Sequence, residues 1–349
     1  MNKCRLAVLF GGHSSEYEVS LQSAAAVLSA IDEEKYDVFP IGITREGDWF
    51  RYAGSTDKIA DGSWCADKQN LRLAAFLQDR SAHGFLERAD GECRLQKIDL
   101  ALPVLHGKNG EDGTVQGLLE LAGIPVVGCG TLASALCMDK DRAHKLAAAA
   151  GIPVPRSVTV RASERGSAAE MIRSSLALPV FVKPLRAGSS FGVTKVTAPE
   201  QLDAAVSLAF EHDSEIIAEE AVDGFEVGCA VLGVDDLTVG RVDEIELSGG
   251  FFDFTEKYTL KTSKIHMPAR IDAAAERRIQ DAAKTIYRAL GCSGFARVDL
   301  FWTPEGRIVF NEVNTIPGFT SHSRYPNMMK GIGLSFPRVI DRLLGLYAK

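Results

Sequence analysis

No apolar stretch in this 349-residue chain reaches the roughly 20 residues that a membrane-spanning helix needs. The start, MNKCRLAVLFGG, runs from a short basic segment into a strand-like run without a signal-type apolar region, so a cytoplasmic, membrane-free protein is expected. Positive charge is in deficit, with a formal net charge of -7, which argues against a nucleic-acid-binding surface; any anionic ligand must be held by local cations. The seven cysteines (Cys4, Cys65, Cys93, Cys129, Cys137, Cys229 and Cys292) form no C-x-x-C pair, and no histidine stands at zinc spacing. They read as buried thiols of a reducing compartment. There is no Walker A sequence, no G-x-G-x-x-G, no internal repeat and no low-complexity linker.

What is present is 46% hydrophobic and 24% charged, the composition of a globular chain long enough for two or three cores. The segment RLAVLFGG followed by HSSEYEVSLQSAAAVLSAI reads as strand, glycine turn and helix. DVFPIGIT, IDLALPVL and IPVVGC are further strand candidates, and GTVQGLLELAG is a helix ending at glycine. Strands alternating with helices imply an open α/β sheet over residues 1–130. A second block over 131–212 begins with the helix of MDKDRAHKLAAAAG and reaches LPVFVKPLRAGSSFGVTKV. The third, 213–349, holds the strands EIIAEE and VGCAVLGV, a polar run over 248–264, a helix over 272–290 and a strand pair, an α+β pattern.

That pair is GFARVDLFW and RIVFNEVN around the turn TPEG, an antiparallel hairpin with a loop of about four residues. In this register Arg297 faces Asn314 and Asp299 faces Glu312. Side chains alternate along a strand, so all four lie on one face. Two facing carboxylates repel without a cation, and with an amide oxygen beside them they form a hard-oxygen set suited to Mg²⁺ held with phosphates. Lys183 ends an apolar strand, where its charge requires a buried anionic partner. The run Ala187 to Gly192 can turn backbone N–H groups toward phosphate. Glu219 and Glu226, in consecutive strands, offer a seat for adenine and ribose hydroxyls.

FGGHSSEYEVS, LHGKNGEDGTVQG, MDKDRAHK, FVKPLRAGSSFGVTKV, EEAVDGFEVG, EKYTLK, GFARVDLF and FNEVNTIPGFTSHSRYP, in that order, resemble the D-alanine–D-alanine ligase family of ATP-grasp enzymes from about residue 5 to the end. The resemblance implies an ATP-grasp fold behind an N-terminal open α/β domain, with ATP and two Mg²⁺ (or Mn²⁺) between the second and third blocks. It implies a carboxylate–amine ligase that activates D-alanine as an acylphosphate and joins it to a second D-amino acid. Asp299, Glu312 and Asn314 would bind metal. Lys140, Lys183, Ser189, Ser190, Glu219, Glu220, Val222, Glu226 and Lys257 would bind nucleotide, without the aromatic pair that often follows the adenine-contacting glutamate. Glu16 would hold the first D-alanine, with His106 beside it. Arg297 and the Gly318 N–H would form the oxyanion hole, Ser189 and Tyr258 would link to Glu16, and Ser323 would meet the acceptor carboxylate. The polar run 248–264 would close over ATP and exclude water.

For the acceptor, Lys257-Tyr258 stands where ligases that use D-lactate typically carry histidine. Arg324, with Asp243 and Phe252, stands where D-alanine–D-alanine ligases often carry a smaller apolar residue. The C-terminal stretch is most similar to VanG-type D-alanine–D-serine ligases, so D-alanine as donor and D-serine as preferred acceptor are expected, with a housekeeping D-alanine–D-alanine ligase as the alternative, and the family is often dimeric. A nicotinamide-dependent oxidoreductase, a different ATP-grasp ligase and a non-catalytic nucleotide-binding module remain as rivals. The first lacks its glycine fingerprint, and the last would not need the metal ligands and Arg297.

Overall fold

The apolar run after the basic start forms the strand Cys4–Gly11, whose residues from Leu6 onward are buried. It lies parallel to Tyr36–Ile43 on one side and Leu100–Pro103 on the other, with the helix Tyr17–Leu28 crossing between the first two. The computed structural model describes residues 3–89, 91–188, 191–247 and 263–348. The sheet then continues through Trp49–Tyr52, Leu71–Phe76, Gly84–Ala89 and Glu92–Lys97, each antiparallel to the one before. This antiparallel half is absent from the pattern of apolar runs. IPVVGC, expected as a strand, makes only one parallel bridge, between Ala101 and Val126, because the chain turns into the helix Thr131–Met138 directly after it.

The second sheet has four strands in the order Thr194–Val196, Val180–Pro184, Glu215–Glu220, Ser157–Arg161. Its core joins Val180, Val182 and Ile216 to Ile172 and Val206 of the helices Ala168–Ser175 and Leu202–Ala209. Two assignments differ from the blocks read in the sequence. The strand Glu215–Glu220 belongs to this sheet although it follows residue 212. The helices Thr131–Met138 and Lys140–Ala149 pack Cys137, Ala143 and Ala147 into the core of the third sheet.

The third sheet runs Ser263–His266, Asp243–Leu247, Phe225–Gly233, Gly294–Trp302, Ile308–Asn314, with Thr238–Val239 paired to its middle strand. The amphipathic helix Ala273–Ala289 covers one face; its cap, Asp272, accepts from the N–H groups of Ala274 and Ala275 at 2.8 and 2.7 Å, as helix starts require. The hairpin has the expected register at Arg297/Asn314 and Asp299/Glu312, then slips by one between Asp299 and Leu300. Asn311 is thus the extra residue of a bulge, a device that re-aims side chains next to sites. Its carbonyl accepts from His144 Nε2 at 2.8 Å. No helix among the described residues is long and apolar enough to cross a membrane.

In the first sheet a bare Cα at Gly42 makes room for Trp64: a Cβ there would stand 2.4 Å from the indole ring and 2.8 Å from Phe10. Gly42→Ala should lower unfolding stability by about 1–3 kcal/mol through overpacking, measured by denaturant unfolding; an unchanged midpoint would contradict this packing.

Candidate functional site

Asp299 is 1% exposed, so its charge has to be met inside the protein. Arg297 donates to it through Nε and Nη2 at 2.8 and 2.7 Å, and Asn314 Nδ2 donates at 2.9 Å. Arg324 stands 3.5 Å away. Three of the four hairpin groups therefore meet at one carboxylate, and Glu312 is paired to Asp299 in register. Among the described residues no three His, Cys, Asp or Glu side chains gather as a metal cage. The hairpin offers two carboxylates and one amide, a hard-oxygen set that fits Mg²⁺ completed by phosphate oxygens.

Arg324 is the residue whose surroundings depart most from the simple expectation of a substrate contact. Its guanidinium donates twice to Asp243, both at 2.7 Å, and once to Glu226 at 3.2 Å. Gly228, between these groups on the sheet, leaves them space: a Cβ would lie 2.4 Å from Arg324 Nη2 and 2.7 Å from Asp243 Oδ1. Glu226, expected at the ribose, is thereby also tied to Arg324. Ser323 precedes the helix that carries Arg324 and turns its Oγ back to accept from Thr320 N at 3.1 Å; a Cβ on Gly318 would stand 3.2 Å from that Oγ.

Between the second and third sheets lies a cavity of 540 Å³ lined by Lys140, Lys183, Glu219, Glu220, Val222, Glu226 and Glu312. Lys183 finds the buried partner that its position demands: its Nζ is 2.6 Å from Glu219 Oε2. Glu219 Oε1 is buried and has no partner among the described residues, which suits a ligand amino group. His144 Nδ1, 3.8 Å away, is likewise without a partner. Burial holds this imidazole below its ordinary pKa, with Glu219 pulling the other way. Lys140 Nζ donates to the carbonyl of Ala187 at 2.7 Å, at the start of the glycine–serine run. Glu220 Oε1 accepts from Arg156 N. Ser189, Ser190, Lys257, Tyr258 and Phe252, with residues 248–262 of the expected closing loop, lie outside the described residues.

Glu16 stands against two glycines. A Cβ on Gly107 would lie 2.5 Å from its Oε2, and one on Gly188 would lie 3.0 Å away; Gly107 also has φ +72°, a conformation that glycine adopts without strain. Glu16 thus lies against Gly188, where the described part of the glycine–serine run ends. His106 is buried, with Nδ1 2.9 Å from the carbonyl of Ile316 and Nε2 3.2 Å from Ser23 Oγ. The carbonyl can only accept, so Nδ1 carries the proton, and burial lowers the pKa of this neutral ring. Both ring nitrogens are engaged by protein, which makes His106 a strut beside Glu16.

Sequence reasoning missed Glu111, Ser23 and His144. Glu111 accepts from the N–H groups of Gly107 at 2.9 Å and Ile316 at 3.1 Å. Burial and the like charge of Glu16 push its carboxyl up to about 8. It stands in the same motif as His106, and that was its only signal.

The fold and cleft define an ATP-grasp carboxylate–amine ligase. The chain belongs to the D-alanine–D-alanine ligase family: residues 5–129 match the D-ala D-ala ligase N-terminus and 146–345 the D-ala D-ala ligase C-terminus. It is 46% identical over 351 residues to the vancomycin B-type resistance protein VanB of Enterococcus faecalis, covering 99% of each. It is 40% identical to D-alanine–D-alanine ligase A of Escherichia coli, covering 99% of this chain and 96% of that one. Among solved structures, VanG D-Ala:D-Ser ligase from Enterococcus faecalis superposes with a TM-score of 0.93 at 65% identity, covering 99% of this chain and 100% of that one.

A carboxyl whose pKa is raised by folding binds a proton that the unfolded chain releases, so the stability tied to Glu111 is present below about 4.5 and lost as pH rises through about 8. Melting temperatures of the wild type and Glu111→Gln across that window should show the wild type losing ground with rising pH. A constant difference would contradict the shift.

Proposed function

We propose that this chain joins D-alanine to D-serine at the expense of ATP, with Arg324 and Asp243 shaping the acceptor site. The observation that carries this reading is the buried Arg324–Asp243 pair beside Ser323. The paired charges make that end of the site polar, which favours an acceptor carrying a hydroxyl over one carrying only a methyl group. The likeness to VanG D-Ala:D-Ser ligase supports the same acceptor. Three units go with it, as in the sequence reading, the second boundary moved past Glu220 because the strand Glu215–Glu220 pairs within the middle sheet.

The residues divide the work as follows. Glu16 holds the ammonium of the first D-alanine so that its carboxylate oxygen meets the γ-phosphorus of ATP; the bond to ADP breaks as the acylphosphate forms. Lys140 and Lys183 hold the nucleotide, Glu219 accepts from the adenine amino group, and Glu226 marks the ribose side. Asp299, Glu312 and Asn314 would hold Mg²⁺, which supplies neutralisation of phosphate charge. The D-serine amine then attacks the acyl carbon. Arg297 and the Gly318 N–H stabilise the oxyanion until phosphate leaves, and Ser323 orients the acceptor carboxylate. Positioning of this kind is the main source of rate in such transfers.

Chromatography of products from D-alanine alone, with D-serine and with D-lactate tests the reading. D-alanyl-D-serine should dominate the mixed reaction. D-alanyl-D-alanine alone would overturn the acceptor assignment, and no condensed product from any mixture would overturn the ligase. Glu312→Ala should abolish turnover with an unchanged circular dichroism spectrum; wild-type rates would contradict the metal assignment.

A further inference from the structure

The peptide that leaves the hairpin after Asn314 carries Gly318, and the first sheet's side of the molecule grips it at three points. Glu111 Oε1 accepts from the N–H of Ile316 at 3.1 Å. His106 Nδ1 donates to the carbonyl of the same residue at 2.9 Å. Ser23 Oγ, on the helix Tyr17–Leu28, accepts from the N–H of Phe319 at 3.3 Å. These bonds bracket Gly318, and none of them takes its N–H. Pro317 between them has no N–H to give.

The hydrogens run in one direction. Phe319 N–H donates to Ser23 Oγ, the Ser23 hydroxyl donates to His106 Nε2, and His106 Nδ1–H donates to Ile316. Glu111 closes the arrangement by accepting, with its other oxygen, from Gly107 N at 2.9 Å, in the loop that leans on Glu16. One carboxyl group thus binds the loop beside the proposed donor site to the peptide beside the proposed oxyanion site, across 205 residues of sequence.

We infer that Glu111, together with Ser23, is a positioning residue for the ligase reaction: it fixes the 316–319 peptide so that the Gly318 N–H points at the developing oxyanion. The inference rests on the reading of Gly318 and Arg297 as the oxyanion hole. Neither Glu111 nor Ser23 touches the reacting atoms; both act through the backbone that they hold. Because the peptide leaves the third sheet while its partners stand on the first, the clamp also sets the distance between Glu16 and the hairpin carboxylates.

Glu111→Gln is isosteric, keeps one acceptor and sets its amide N–H₂ against the other backbone donor; Ser23→Ala removes the second grip independently. For each variant the turnover number at saturating substrates, the affinity for ATP and the affinity for a phosphinate dipeptide analogue of the tetrahedral intermediate are measured. Turnover and analogue affinity should fall together by about 10- to 100-fold, the cost of a misplacement on the order of an ångström, with ATP affinity within about two-fold of wild type. Turnover and analogue affinity both unchanged would overturn the inference, and so would an equal loss of ATP affinity, which marks general damage. If Glu111→Gln fails to fold, Ser23→Ala decides. Arg297→Lys separates the two readings. If it leaves analogue affinity intact, the oxyanion assignment falls; if it weakens the analogue while Glu111→Gln and Ser23→Ala do not, the clamp alone falls.

Discussion

A carboxylate sealed inside a sheet is the constraint from which the site is built. Asp299 is 1% exposed, and an unpaired charge at that depth would cost several kcal/mol. Arg297, two residues along the same strand, takes both of its oxygens, and Asn314 reaches it from the facing strand. Arg324 approaches from the following helix but gives its shortest bonds to Asp243. Arg297 and Arg324 with Asp299, Asp243 and Glu226 thus form one linked group, Arg324 and Asp243 lying over the bare Cα of Gly228. Removing one member of such a group leaves the others buried and unmatched, at a cost of about 3–5 kcal/mol. The same concentration of charge is what a metal–phosphate site needs.

The hairpin that carries Asp299 also sets the rest of the geometry. Its bulge at Asn311 exposes a carbonyl that His144 takes, bringing the helix Lys140–Ala149 and the base of the nucleotide cavity against the third sheet. Its exit peptide runs to the first sheet, where His106 and Glu111 receive it. Glu16 stands between glycines from two different sheets' loops, and the bare Cα of each gives its carboxylate room in this position. The proposed donor, nucleotide and acceptor sites would therefore share one reference, the strand pair.

Much of this was legible in the residues. The hairpin could be read because a period of two and a Pro–Gly turn fix which side chains share a face, and the bulge lies beyond the positions that carry the argument. The helix Ala273–Ala289 has an unmistakable amphipathic stripe and an aspartate cap. The antiparallel half of the first sheet was not legible: Glu92–Lys97 is almost wholly exposed and shows no alternation. The boundary drawn at 212 separates Glu215–Glu220 from its sheet, because pairing with Val180–Pro184 is a long-range contact with no local signal. The sequence could group Arg324 with Asp243 through the family resemblance, but not the two-bond pairing between residues 81 apart that holds them. Glu111 sits among turn residues in GKNGEDG, and nothing local announces its partner at Ile316.

The central claim is that Asp299 and its hairpin neighbours seat divalent cations beneath a triphosphate. Electron paramagnetic resonance of Mn²⁺ titrated into the protein with a non-hydrolysable ATP analogue tests it without reference to turnover. Tight binding that is lost in Asp299→Asn, with nucleotide still bound, is the predicted result. Unchanged Mn²⁺ stoichiometry and affinity in that variant would contradict the account.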